Sequence, residues 1–240
     1  MAKKPTKKTT KRAKRDIRPG RWLLKQALRV GVLMAGLILA AVVIYAGLNP
    51  PTTHTMWSES QRLGRPVDQH WVDVDDIAPV MLRSVVAAED ANYCTHWGFD
   101  MSAIRAAIEG GAERGGSTIS QQVVKNVYLW QDRSYVRKAL EAVITPAVEA
   151  VWSKRRILEV YLNIAEFDEG VFGVEAAARH YFGKGPEALS ARQAALLAAV
   201  LPSPKKRNAA RPSAFLDRRA RGIMDGAATI KADGRADCFE

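Results

Sequence analysis

The order of apolar and polar positions separates one bare apolar stretch from a series of helix-length segments that each carry a polar face. Residues 30–48, VGVLMAGLILAAVVIYAGL, run for 19 residues without a charge. At ~1.5 Å per residue such a helix covers roughly 28 Å, close to the hydrocarbon core of a bilayer. A core helix of a water-soluble domain would show a polar stripe, and this one shows none. Gly31 and Gly36 are tolerated in membrane helices. A cleaved signal peptide is the rival, but its apolar region is usually about 7–15 residues and ends at a small-x-small site. No convincing site follows Ile44, so an uncleaved signal anchor is expected.

After a short linker with Pro50-Pro51, the pattern becomes that of a globular domain from Met56. Pro79 suits the first turn of a helix through about Ala91. Helices are expected over 101–113, 135–152 and 154–163, the last capped by Ser153, and one ends over 176–182. Gly183-Lys184-Gly185-Pro186 reads as a loop. Ser190 with Gln193 fits a capping box that opens an apolar helix to Leu201, stopped by Pro202-Ser203-Pro204. Residues 213 to about 227 read as a last amphipathic helix, and the final dozen residues as frayed. Trp71-Val72-Asp73-Val74 is a candidate extended piece, but alternating β-branched runs are few and no internal repeat occurs. The expected organisation is a basic tail (1–29), the anchor (30–48), a linker (49–55) and a mainly α domain (56–240).

Charge sharpens this division. The formal net charge of +11 invites a nucleic-acid partner, but its placement argues against one. Residues 1–29 hold twelve Lys and Arg against one acid, Asp16, whereas residues 49–240 hold 24 of each sign. The excess lies wholly in the tail, whose Lys/Arg/Thr-rich residues 1–21 should be disordered. A basic block ahead of the anchor sets the N-terminus in the cytoplasm and everything past Leu48 outside it. Cys94 and Cys238 lie in that exported part, where an oxidising compartment allows a disulfide. With Cys238 near the end of a polar tail, two free thiols are expected instead. No Cys/His spacing suggests a structural zinc site.

The candidate chemistry concentrates in residues 115–126, GGSTISQQVVKN. Gly115 and Gly116 let backbone approach a ligand, and Thr118 with Gln121 fits a capping box, so a helix should start there. A helix start offers free N–H groups and a positive dipole end, which suit a phosphate. Gln121 and Lys125, and Gln122 and Asn126, are spaced by four, giving one face amides and a cation. No Gly-Lys-Ser/Thr follows the glycines, so this is no Walker loop. Alone, the segment reads more readily as a capped surface helix, which is common.

Two carboxylates stand out. Glu89 ends the apolar run Val85-Val86-Ala87-Ala88, where desolvation would raise its pKa toward what a general base needs. The plainer alternative is a helix-end Glu in an ion pair. Glu141 shares a helical face with Arg137 and Arg133, four and eight residues before it. This could be a solvated salt-bridge stripe or a row of groups facing an anionic substrate. His96 could ligate a metal, but a hydrogen-bonded structural histidine is the safer assignment.

The segment from Glu89 to Asp100, EDANYCTHWGFD, followed about 25 residues later by GGSTISQQVVKN, resembles the first two motifs of the peptidoglycan glycosyltransferases, glycosyltransferase family 51. Arg137-Lys138-Ala139-Leu140-Glu141 resembles the third, the segment from Ser153 to Asn163 the fourth, through Tyr161, Leu162 and Asn163, and that from Ala194 to Pro204 the fifth. The resemblance runs from about Trp71 to Arg207. It departs from the pattern at Tyr93, where Phe is usual, at Cys94-Thr95, at Pro146 inside the third-motif helix, where a kink is expected, and at 208–212, which lacks the usual proline after Asn208.

The resemblance implies a lysozyme-like α fold with a head and a smaller, membrane-facing jaw behind one transmembrane helix. It implies an enzyme that polymerises lipid II into β-1,4-linked glycan strands with release of undecaprenyl diphosphate. Glu89 aligns with its catalytic base and Glu141 with its second essential carboxylate. Lys125 and Arg133 match cations on the donor diphosphate. Asp90, Ser117, Gln121, Gln122, Asn126 and Arg137 complete the expected substrate-binding set, with Asp90 an orienting neighbour. Lys205, Lys206 and Arg207 either add positive potential near the leaving group or form a solvated basic turn. No cofactor is required and the sequence fixes no metal site, though a divalent cation (Mg or Mn) at the diphosphate is compatible. The expected partners are lipid II, the nascent glycan chain and the membrane, with cell-wall synthesis or divisome proteins as candidates and no nucleic acid. The expected location is the bacterial cytoplasmic (inner) membrane, single-pass, with an extracytoplasmic catalytic domain. A murein hydrolase or lytic transglycosylase on a lysozyme-like fold is the rival by analogy, and a non-catalytic wall-binding module a third. A chain of 240 residues leaves no room for a transpeptidase domain, so a monofunctional enzyme is expected.

Overall fold

A computed structural model of the chain describes residues 19–109, 116–132 and 134–240, and most of these are helical. The expectations placed on residues 1–18, on 110–115 with Gly115, and on Arg133 lie outside the described residues. The chain divides into two units, Met1–Ala40 and Ala41–Glu240. In the first, helix α1 begins at Pro19 and runs to Tyr45, which lies in the second. Leu28, Val30, Leu33, Leu37 and Leu39 are each more than half exposed. So long a bare apolar surface suits lipid, where a helix satisfies its own backbone. The 26 residues from Gly20 to Tyr45 are long and apolar enough to cross a membrane.

The second unit holds the remaining helices: α2 (His54–Leu63), α3 (Pro79–Glu89), α4 (Met101–Glu109), α5 (Ile119–Tyr128), α6 (Tyr135–Val151), α7 (Lys154–Ile164), α8 (Val174–Phe182), α9 (Ala191–Val200) and α10 (Ala214–Ala232). Both capping boxes expected from sequence are formed, at Thr118/Gln121 and Ser190/Gln193. Ser134, Ser153 and Ser213 also cap helices through their hydroxyls. These bonds satisfy amide groups that a helix start leaves without partners. Helix α6 continues through Pro146 to Val151.

Helices α3, α9 and α10 pack on one another. Residues 194–200 of α9 are all buried, and the four alanines among them let neighbouring helices come close. Gly226 of α10 faces Ala87 of α3 so closely that a Cβ there would lie 3.2 Å from the alanine methyl. A second group forms where α5 meets α6 and α7, burying Ile119, Val123, Ile144, Val148, Leu158 and Leu162. A small sheet has the order β1 (Asp68–Gln69), β3 (Val171–Phe172), β2 (Glu166–Asp168). Strand β1 is parallel to β3, and β2 is antiparallel to it with an irregular register between Glu166 and Asp168. Residues 71–73 belong to no strand, so the extended piece expected there is a strand-free approach to a 3-10 turn at Val74–Asp76.

The end of α1 is clamped within the second unit. Trp152 Nε1 donates to Val42 O at 2.7 Å. The Arg156 guanidinium donates to Tyr45 O at 3.2 Å and to Leu48 O at 2.8 Å. A cation at the carbonyl end of a helix also meets the negative end of its dipole.

The C-terminus corrects two expectations. Helix α10 runs to Ala232 rather than about 227, and the last residues are not frayed: Ala236 is 5 % and Phe239 1 % exposed. Cys94 and Cys238 are bonded in a disulfide, their Cα atoms 5.7 Å apart, rather than two free thiols. The polar composition of 233–240 conceals one large apolar anchor, Phe239, which packs with its ring 6.2 Å from that of Tyr93 and carries Cys238 to Cys94.

Candidate active site

Helix α3 ends at Glu89, and Asp90 leaves it in a non-helical conformation. The chain then makes a 3-10 turn at Tyr93–Thr95 and reaches Gly98, at φ 78°. That conformation favours glycine, and a Cβ would fall 2.4 Å from Thr145 Cγ2 of α6. The close approach lets Gly98 O accept a 2.7 Å hydrogen bond from the Thr118 hydroxyl, tying this loop to the start of α5.

Asp90 is buried, and both its carboxylate oxygens are engaged. Oδ1 lies 2.8 Å from His96 Nε2, and Oδ2 accepts from the backbone N–H of Ile119 at 3.0 Å. His96 is thereby a hydrogen-bonded structural histidine. The Ile119 N–H goes to Asp90 and the Gln121 N–H to Thr118 Oγ1, while Gln121 Oε1 accepts from Thr118 N at 3.1 Å. The expectation of free N–H groups for a phosphate at this helix start is therefore corrected: a carboxylate already occupies the positive end of α5. Side chains further along remain for an anionic ligand. Gln121 serves the cap and is buried, whereas Gln122, Lys125 and Asn126 are partly exposed.

Glu89 is half-buried. Gln122 Nε2 donates to Glu89 Oε2 at 3.0 Å, and the Tyr161 hydroxyl donates to Gln122 Oε1 at 3.3 Å. Burial raises the Glu89 carboxyl above its ordinary range; the Gln122 bond opposes this, as do the charges of Arg219 and Arg207, while Asp90 adds to it. Burial also holds the Tyr161 phenol well above its ordinary value, and the charge of Glu89 adds to the effect. Tyr161 can donate, and its proton stays put.

Lys125 feels the charge of both carboxylates sought from sequence. Burial lowers its pKa; Glu141 opposes this, Arg137 and Lys138 reinforce it, and Glu89 opposes it. Glu141 itself is buried, paired through Oε2 with Arg137 Nη1 at 2.9 Å and through Oε1 with Lys138. Lys138 also donates to Ser117 Oγ at 3.2 Å, and Asn126 Oδ1 accepts from Gln131 Nε2 at 2.6 Å. The cluster carries a surplus of positive charge around one buried anion, which suits an anionic ligand. Lys138 is a site residue that sequence reasoning passed over, although its i,i+3 spacing from Glu141 signals the pairing. Arg219 is another, lying in α10 outside the five motifs, and of the basic residues after α9 it is Arg207 whose charge acts on Glu89.

Glu89 and Gln122, joined by their hydrogen bond, each line a different hollow. One of about 530 Å³ is lined by Glu89, Asp90, Asn92, Asp100, Ser117 and Thr118 among others, and one of about 210 Å³ by Gln122, Lys125, Asn126, Gln131, Tyr161 and Glu166 among others. A divalent cation fits this set poorly. The carboxylates of Asp90 and Glu141 already have protein partners at both oxygens, and no group of three or more potential metal ligands occurs among the described residues. Lys205, the first of the basic residues after α9, pairs with Glu59 at 2.7 Å and Glu166 at 3.4 Å.

A family model described as Transglycosylase matches residues 57–228. Among curated proteins, the chain is 62 % identical over 219 residues to a biosynthetic peptidoglycan transglycosylase of Jannaschia sp. (strain CCS1), covering 91 % of this chain and 90 % of the relative. It is 44 % identical to one from Rhodospirillum centenum (strain ATCC 51521 / SW), covering 88 % and 94 %, and 45 % identical to one from Caulobacter vibrioides (strain ATCC 19089 / CIP 103742 / CB 15), covering 86 % and 91 %.

Proposed function

The chain belongs to the transglycosylase family, and from that premise we infer a monofunctional peptidoglycan glycosyltransferase that polymerises lipid II into β-1,4 glycan strands, releasing undecaprenyl diphosphate. The observation that carries the site assignment is that a desolvated carboxylate, Glu89, and a half-buried cation, Lys125, share one electrostatic neighbourhood. Glu89 takes the proton of the acceptor 4-hydroxyl. The oxygen then bonds to the donor's anomeric carbon from the face opposite the diphosphate, whose C–O bond breaks with its electron pair, so configuration inverts. Lys125, with Arg137 and Lys138 behind it, opposes the charge that develops on the departing diphosphate. Arg133 joins this set by resemblance. Glu141 holds Arg137 and Lys138 in place and is a positioning residue. Gln122, donating to Glu89 and accepting from Tyr161, fixes the carboxylate's orientation.

The test is to give the purified full chain in detergent lipid II and, separately, intact sacculi. Glycan polymer from the first and no soluble fragments from the second is the expected result; cleavage of sacculi with lipid II untouched overturns the assignment.

Because burial raises the Glu89 carboxyl, the base is lost to protonation at a higher pH than for an ordinary glutamate. The acid limb of kcat/KM should therefore lie above the ordinary carboxylate range. A rate that stays flat down through that range would remove Glu89 as the titrating base.

We further propose that the charge-free part of α1, from Val30, crosses the cytoplasmic (inner) membrane with residues 1–29 in the cytoplasm and the domain outside. Twelve basic residues against one acid in 1–29 precede the charge-free stretch, which supports this orientation. Protease added outside spheroplasts should digest the domain and spare the basic tail. Digestion seen only after lysis would reverse the orientation.

A further inference from the structure

The loop that follows the proposed base is held from an unexpected side. From Asp90 to Asp100 it contains no regular structure beyond one 3-10 turn, yet it must present Asp90 to the N-terminus of α5. Residues 233–240 lie across it. Cys238 is bonded to Cys94, five residues beyond Glu89. Arg235, oriented by Asp233 at 2.9 Å, donates to Ala91 O at 2.9 Å. The tail is itself fixed at its far end. Arg155 of α7 donates to Glu240 O at 2.8 Å, and Arg83 of α3 pairs with the Glu240 side chain at 2.5 Å. The tail therefore joins α3, α7 and the loop into one frame. The family match ends at residue 228, so this strap lies beyond the matched residues.

We propose that residues 233–240 are a positioning element for the glycosyl transfer, in which Cys238 through Cys94, and Arg235 through Ala91 O, hold the loop so that Glu89 stays beside Gln122 and shielded from water. The inference rests on the assignment of Glu89 as base. Without the strap the segment 91–96 keeps the buried Tyr93, whose hydroxyl donates to Lys154 O, and the Lys154 bond to His96 O. It loses its holds at Ala91 and Cys94, the two nearest Glu89 on that side, and water gains access to the carboxylate. A base that is displaced and hydrated loses alignment and strength together, and a displacement of about 1 Å can cost on the order of 10²-fold in rate.

The test uses the full chain in detergent with lipid II. The double variant Cys94→Ser/Cys238→Ser should lose about 10- to 100-fold in kcat with KM nearly unchanged. Its amides over 91–96 should exchange hydrogen faster. The acid limb of its pH profile should move to lower pH, because hydration releases Glu89 from the burial that raises it. Asp90, Lys125, Arg207 and Arg219, the charged groups facing Glu89, are unaltered by the change. Arg235→Ala keeps the disulfide and should move the same readouts in the same direction; it decides the matter if the double variant does not fold. A folded double variant with wild-type kcat and an unmoved acid limb, even at a lower Tm, overturns the proposal and leaves a purely structural staple. Glu89→Gln run alongside separates the two claims. An active Glu89→Gln overturns the base assignment, whereas a dead Glu89→Gln beside fully active strap variants overturns the strap alone.

Discussion

Glu89→Gln should lower lipid II polymerisation by about 10²–10⁴-fold, the usual cost of losing a positioned general base. The substitution keeps the length of the side chain and leaves an amide oxygen to accept from Gln122, so the Tyr161–Gln122 arrangement persists. It also removes a carboxylate whose ionisation is opposed by burial. The folded protein should therefore melt at the wild-type temperature or slightly above it. Initial rates and a thermal melt on the same preparation check both halves. A folded variant that keeps more than about half the wild-type rate falls outside the range for a lost base and removes the assignment.

Lys125→Ala should cost about 10²–10³-fold in kcat, the scale for deleting one preorganised electrostatic contact to a developing charge. Only the donor releases diphosphate, so donor use should suffer more than acceptor use. The fold should tolerate the change. The ammonium is held against its own desolvation, and Glu141 keeps Arg137 and Lys138 when it is gone. A diphosphate-mimicking inhibitor should lose affinity in parallel. Wild-type affinity for that inhibitor would mean the diphosphate lies elsewhere.

What was legible in the sequence was local. The capping boxes at Thr118 and Ser190 close over three residues, so spacing alone reveals them. The Arg137–Glu141 pair follows from helical periodicity in the same way. What escaped were partners brought together by the tertiary fold. Nothing near Asp90 announces that its carboxylate will cap a helix that begins 29 residues later. The same holds for Gln122 and Glu89, 33 apart, and for Arg219, whose field reaches Glu89 from α10. Phosphate capture at the start of α5 was a sound local expectation overturned by a distant acid. The disulfide is hidden from the sequence because the average polarity of the tail points to solvent, whereas one phenylalanine packs it against Tyr93.

The clamp on the end of α1 has a consequence for how the molecule is assembled. Val42 meets Trp152 across 110 residues of sequence, and Tyr45 meets Arg156 across 111. At ~5–20 residues per second of synthesis, roughly 5–20 s separate the making of the span from the making of its clasp. Through that interval the carbonyls of Val42, Tyr45 and Leu48 have no side chain to receive, and the span trails a slack chain. Contacts so distant in sequence are entropically slow to close. The end of α1 is thus made early and secured late, only once the chain has folded as far as α7.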